Sequence, residues 1–296
     1  MAATLSVSNQ DARDKGSVLV AGAHRRKRQF GNVTLYAGLV VVGIVTAFCI
    51  FYPMISSHDP IKPNFAAGVF RSPSWAHPLG TDNFGRDTLT RLAVGGRVDL
   101  IIATSATLCT VIIGGIVGLI SGFFGGWLDT LLMRVVDIVL TMPYLVLVIA
   151  IVAVLGPGTI NIFYAILLVG WVTYARLVRG ETLLVRRLEY VEAARLVGMS
   201  NWRVIFRHIV PNVASTAIIY AMADIVLNIL LASSLSFLGL GTQPPNPEWG
   251  LMVSEARDFF LKDWRIMAYP GIAIMITGAG FGLIGDGLAQ ALRPKG

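Results

Sequence analysis

Charge is the scarcest thing in this chain: only 14% of its 296 residues are Asp, Glu, Lys or Arg, about half the share of a typical soluble domain. Residues 32–53, 100–122 and 266–285 carry none, and none falls between Asp137 and Arg176. Cysteine is nearly missing too. Cys49 and Cys109 both sit inside apolar runs, which excludes a disulfide framework and a cysteine metal site. The four histidines, His24, His58, His77 and His208, are scattered without metal-ligand spacing, so no metal or other cofactor is expected. Five lysines are present, and none of Lys15, Lys27, Lys62, Lys262 or Lys295 precedes a Ser or Thr, so a phosphate-cradling Gly-Lys-Ser/Thr loop is excluded. Nor does any convergent set of nucleophile, base and metal ligand stand near one membrane face, so no catalytic residue is assigned.

What is present is apolar sequence in long runs. Each uncharged stretch is long enough to cross a hydrocarbon core of ~30 Å, which takes ~20 helical residues. A membrane barrel would instead show alternating segments of ~10 residues. The reading is therefore an all-α polytopic membrane protein with spans near 33–54, 98–122, 131–155, 160–178, 213–238 and 268–289. Some thirty polar and basic residues precede the first run, too many for the charged start of a signal peptide, and Phe51-Tyr52-Pro53 is no cleavage site, so the first span is expected to stay.

Six spans put both termini on one side, and that side holds 16 Lys and Arg against 8 on the other. The bias places the termini and the basic loop 179–211 in the cytoplasm. It also explains the net charge of +7 without a nucleic-acid partner, because the basic residues flank the spans. The cluster His24-Arg25-Arg26-Lys27-Arg28 acts as a topology anchor or recruits anionic lipid. Residues 1–31 are read as a cytoplasmic tail, 32–54 as the first span, 55–96 as an extracytoplasmic loop, 97–289 as a five-helix membrane domain and 290–296 as a second tail.

On the extracytoplasmic side, prolines 60, 63, 73 and 78 forbid a long helix, and Asp82 is expected to cap a short one reaching about Val94. Residues 239–267 carry an amphipathic stretch in which Trp249, Phe259, Phe260 and Trp264 suit the membrane interface. Within the spans, Gly114, Gly118, Gly122 and Gly126 recur at every fourth position, and Gly278, Gly282 and Asp286 repeat the spacing, which suggests close helix packing.

Tyr220, Asp224 and Asn228 form a polar stripe, with Asp224 about 20 Å into the fifth span at the helical rise. An ionisable group at that depth marks a functional site by default. The stripe either lines a hydrated path for a polar solute or hydrogen-bonds one helix to another.

In the basic loop, Tyr190, Ala193, Ala194 and Val197 make one apolar face of a short helix, with Glu192 placed to pair with Arg195 and Gly198 as breaker. Ser200 then caps a second helix whose face is Trp202, Ile205, Phe206 and Ile209, lying on the membrane and joined to a span at Pro211. The first helix projects as a docking knob for another protein, or is an ordinary surface connector.

This spacing is recognisable. Glu192-Ala193-Ala194, with Gly198 six residues and Pro211 nineteen residues after the glutamate, resembles the EAA motif of ABC-importer permeases. The motif has Ile and Leu where this chain has His208 and Val210. His77-Pro78-Leu79-Gly80-Thr81-Asp82 with Gly85-Arg86-Asp87, and Phe237-Leu238-Gly239-Leu240-Gly241 through Glu248-Trp249-Gly250, resemble the C-type oligopeptide, dipeptide and nickel permeases. The resemblance runs from about residue 30 to Pro294.

It implies a type I ABC-importer permease fold in a bacterial plasma (inner) membrane, and transport of di- or oligopeptides or a related small solute. It also implies that the segment with Tyr190, Glu192, Ala193, Ala194 and Gly198 couples to one of two cytoplasmic ATP-binding subunits. A second, B-type homologous permease and an extracytoplasmic solute-binding protein complete the implied assembly. An ion-gradient-driven secondary transporter using Asp224 is the alternative; a membrane scaffold without transport is a third reading.

Overall fold

A computed structural model describes residues 32–292, so the tails, including the cluster at residues 24–28, lie outside the described residues. Five helices are long and apolar enough to span a bilayer, and a bent pair makes a sixth span. They are α1 (Asn32–Ile55), α2 (Thr88–Phe124), the pair α3 (Gly126–Leu140) and α4 (Tyr144–Leu155), α5 (Thr159–Val185), α8 (Val210–Phe237) and α10 (Arg265–Ala291). Short helices α6 (Glu189–Leu196) and α9 (Trp249–Ala256) lie outside these spans, α7 (Asn201–Val204) leads continuously into α8, and no strand is found among the described residues.

Local chemistry sets most boundaries. Asp87 starts α2: its Oδ2 accepts from the Thr90 N–H at 2.8 Å and the Thr90 hydroxyl at 2.7 Å. The expected separate helix to Val94 is therefore the first turns of a 37-residue rod. Asp82 instead closes the preceding turn, accepting from Phe84 N, Arg86 N and Arg86 Nε.

The third span is not one straight helix. Its halves meet at 83° over Thr141-Met142-Pro143, where proline supplies no N–H and turns Met142 away from helical geometry. Pro211 acts more gently. The helix from Asn201 runs through it to Phe237, with a π turn at Ile205–Ile209 re-pairing Val210 N–H to Ile205 O.

Glycines position the bundle, but not all those expected. A Cβ on Gly114 would stand 2.2 Å from the Trp171 carbonyl, and on Gly118 2.5 Å from that of Ala175. On Gly122 it would meet the Thr182 Cβ at 2.8 Å. These three seat α2 on α5. Gly126 meets nothing, because it follows the turn at Gly125 and has left the α2 face. Gly282 also meets open space and Asp286 is exposed. The close line on α10 is Gly280 and Gly287, which with Gly38 admit α1 at 2.6–2.8 Å. That face was missed because its rungs are seven residues apart.

Trp249 is no interfacial anchor. It is buried at 1% exposure, and its indole N–H donates to Leu92 O at 2.9 Å over the bare surface of Gly96. Phe260 and Trp264 are exposed as expected, while Phe259 is half-buried against Phe70 at 5.2 Å. Beside them, the Arg265 guanidinium holds the Asp263 carboxyl below its usual range.

Gly118→Leu is expected to separate α2 from α5, costing about 1–3 kcal/mol or more through overpacking, whereas Gly115→Ala fills open space and is neutral. Thermal unfolding in detergent distinguishes them. Equal melting of both variants would refute the packing assignment.

Candidate functional site

The end of the bundle that carries α6 is built on α2 and α5. Arg186 Nη1 donates to Gly122 O at 2.8 Å and Phe123 O at 3.2 Å, closing the end of α2. Arg179 forks onto Asp129 at 2.6 and 2.7 Å, tying α5 to α3.

Beyond these ties α6 lies across the bundle end on Val191 and Ala194, both buried with Phe123, Val178, Val204, Ile205 and Ile209. The inner face thus differs from the expected one. Of Tyr190, Ala193, Ala194 and Val197 only Ala194 is buried, because Val191 turns inward and shifts the face by one residue. Tyr190 is half-exposed and anchored, its hydroxyl accepting from Asn212 Nδ2 at 3.1 Å and its ring 5.9 Å from His208. The expected Glu192–Arg195 pair is not made; Arg195 stacks over the Phe123 ring at 4.6 Å.

Gly198 ends α6 at φ +81°. There Met199 N–H returns to Ala194 O and Gly198 N–H to Arg195 O. Glu192, Ala193, Leu196, Val197 and Gly198 are left exposed on one projecting edge. Ser200 starts α7 without a side-chain cap bond. In the second face Ile205 and Ile209 are buried, and Val204 joins them. Trp202 and Phe206 instead stack on each other in the open at 6.2 Å.

In mid-bundle the stripe on α8 meets two partners unmarked in the sequence. Asp224 Oδ2 accepts from Tyr174 OH at 3.0 Å, Asn228 Nδ2 at 3.3 Å and Thr107 Oγ1 at 3.4 Å. Asn228 Nδ2 also donates to Thr107 Oγ1 at 2.9 Å. Tyr220 touches Tyr174 edge to face at 5.2 Å. The stripe therefore hydrogen-bonds α8 to α2 and α5, yet Asp224 and Tyr220 stay half-exposed. Thr107 and Tyr174 carry no charge, so only their contacts single them out.

At the opposite end of the bundle, a crown of loops joins the two distant motif stretches. Arg91, 1% exposed, reaches Glu255 Oε2 at 2.7 Å, Asp82 Oδ2 at 3.4 Å, Pro60 O at 2.9 Å and Pro245 O at 3.4 Å. Arg86 bonds the same two carboxylates at 2.6 and 3.3 Å. Glu248 caps α9 through Gly250 N and Leu251 N at 2.8 Å. Nearby, His58, His77 and Asp87 converge with one ligating atom from each within 4.8 Å of the others, which their separation in the chain did not suggest.

Five long apolar helices and the bent α3–α4 pair, packed with short helices at both ends, define a polytopic α-helical membrane protein. The architecture matches a chain of the MetNI methionine ABC transporter in inward-facing conformations with a TM-score of 0.52. That match is 15% identical and covers 66% of this chain and 94% of the other, which shows the fold alone. Residues 114–295 match the binding-protein-dependent transport system inner membrane component, and the chain belongs to that family. Over 264 residues it is 42% identical to the glutathione transport system permease protein GsiD of Pectobacterium atrosepticum, covering 89% of this chain and 87% of the relative. It is 39% identical to the probable D,D-dipeptide transport system permease protein DdpC of Escherichia coli, over 90% and 89% of the two chains. It is 40% identical to the dipeptide transport system permease protein DppC of Alkalihalophilus pseudofirmus, over 89% and 86%. The secondary-transporter and scaffold readings give way to this family.

Arg91→Met is expected to cost about 3–5 kcal/mol, because Asp82 and Glu255 lose a buried partner. Thermal unfolding with and without a compensating Glu255→Gln checks this. The prediction fails if the single variant melts like the parent.

Proposed function

We propose that this chain forms half of the pathway of an ATP-driven importer for di- or oligopeptides or a closely related small solute. Supporting the substrate class, the relatives at 39–42% identity are named for glutathione, D,D-dipeptide and dipeptide transport. The other half is a homologous B-type permease, two cytoplasmic ATPases supply the force, and an extracytoplasmic binding protein delivers solute to the crown. The assembly sits in the bacterial inner membrane with both termini in the cytoplasm, a placement supported by the 16 to 8 bias of basic residues.

The observation that carries the coupling role is the projecting edge of α6. Val191 and Ala194 anchor the helix in a core shared with α2, α5, α7 and α8, while Glu192, Ala193 and Gly198 face outward. A push on that edge is transmitted to four helices because the core beneath is close-packed. The half-exposed Asp224 and Tyr220 serve the solute path, held in place by Thr107, Tyr174 and Asn228.

Gly198→Trp adds bulk where nothing lies within 4 Å, and at φ +81° it strains the turn. It is expected to lower co-purification of the ATPase about tenfold, a loss of ~1.4 kcal/mol. Undiminished co-purification by the variant, or no ATPase recovered with the parent chain, sinks the coupling role. Asp224→Leu is expected to abolish peptide uptake while the complex still assembles. Normal uptake would leave the stripe with a purely structural role.

A further inference from the structure

We propose that His58, His77 and Asp87 form a binding site for a borderline divalent transition-metal ion, Zn2+ being the type case, on the extracytoplasmic crown. One ligating atom from each residue lies within 4.8 Å of the other two. His77 and Asp87 are buried, and His58 is half-exposed, which gives the ion a route in. The imidazoles of His58 and His77 already pack at 4.6 Å.

The donor geometry fits. His77 Nδ1 and Asp87 Oδ1 are 2.9 Å apart. Two neighbouring ligands at about 2.1 Å from an octahedral ion are separated by ~3.0 Å, and in a tetrahedral site they open by about half an ångström more. At these bond lengths the ion sits to one side of the line joining the two atoms and replaces the hydrogen bond between them. Nδ1 ligates through its lone pair, with the ring proton carried on Nε2. His58 supplies the third bond by rotating its half-exposed side chain inward. Water fills the remaining positions.

The support around the ligands is already built. Asp87 Oδ2 is fixed by the Thr90 N–H and hydroxyl, which aims Oδ1 at His77. Thr90 Oγ1 is held in turn by Ser56 Oγ at 2.7 Å, two residues before His58. Two imidazoles with one carboxylate favour Zn2+, Ni2+, Co2+ or Cu2+ over the oxygen-seeking Ca2+ and Mg2+. Such an ion would clip two loop segments to the first turn of α2. This inference does not depend on the transport reading.

The test uses tag-free full-length chain, stripped with chelator, and Zn2+ alone as titrant in calorimetry. One equivalent is expected to bind in the micromolar range, and His58→Gln is expected to weaken that binding at least about tenfold. Because His58 is half-exposed, this variant is expected to melt like the parent without metal. Cu2+ loaded at one equivalent is expected to show two coupled nitrogens in its paramagnetic resonance spectrum, falling to one in His58→Gln. Absence of stoichiometric Zn2+ binding by the parent overturns the site. So does a His58→Gln variant with unchanged affinity or an unchanged nitrogen count.

Discussion

Everything in this bundle hangs on the close approach of α2 and α5. In a bilayer, lipid tails are as apolar as leucine, so no hydrophobic effect draws one spanning helix to another. What remains is contact, and contact between backbones requires that nothing intervene. Gly114, Gly118 and Gly122 provide that bare strip, and the carbonyls of Trp171 and Ala175 lie against it. Because α5 leads into α6, the same contact places the exposed edge of α6 at one end of the bundle. Because α2 begins at Asp87, it also places the crown at the other. One helix pair thus connects the two ends.

The two ends are stabilised by different physics. At the crown, Arg91 and Arg86 share Asp82 and Glu255 among buried surroundings, where unpaired charge is very costly. These pairs hold distant loops in one arrangement. At the α6 end the attachment is mainly apolar, through Val191, Ala194, Ile205 and Ile209. A packed apolar contact of this kind moves as a unit without exposing a buried charge.

Asp224 shows how an intramembrane acid is accommodated. Its Oδ2 is tied to Tyr174 on α5, Thr107 on α2 and Asn228 on its own helix, which is interhelical hydrogen bonding, and the residue is still half-exposed. A polar group among apolar helices is costly unless it is hydrogen-bonded, and these three donors supply that.

By itself the sequence determined which stretches are long and apolar enough to cross a membrane and where a short helix ends at Gly198, because hydrophobic length and glycine placement are local signals. It also contained the two motif stretches that meet at Arg91, without showing that they meet. Tertiary structure alone decided which face each helix buries. On α6 it is Val191 rather than Tyr190 and Val197; on α10 it is Gly280 and Gly287 rather than Gly282. Trp249 went inside although its type suits an interface, since Gly96 leaves room for an indole and Leu92 a bonding partner. His58, His77 and Asp87 likewise converge only after the loop folds back. The reason is common to all: in a chain apolar on every side, periodicity marks a helix but not its neighbour, and the neighbour is chosen by shape and by the few polar groups that must be paired.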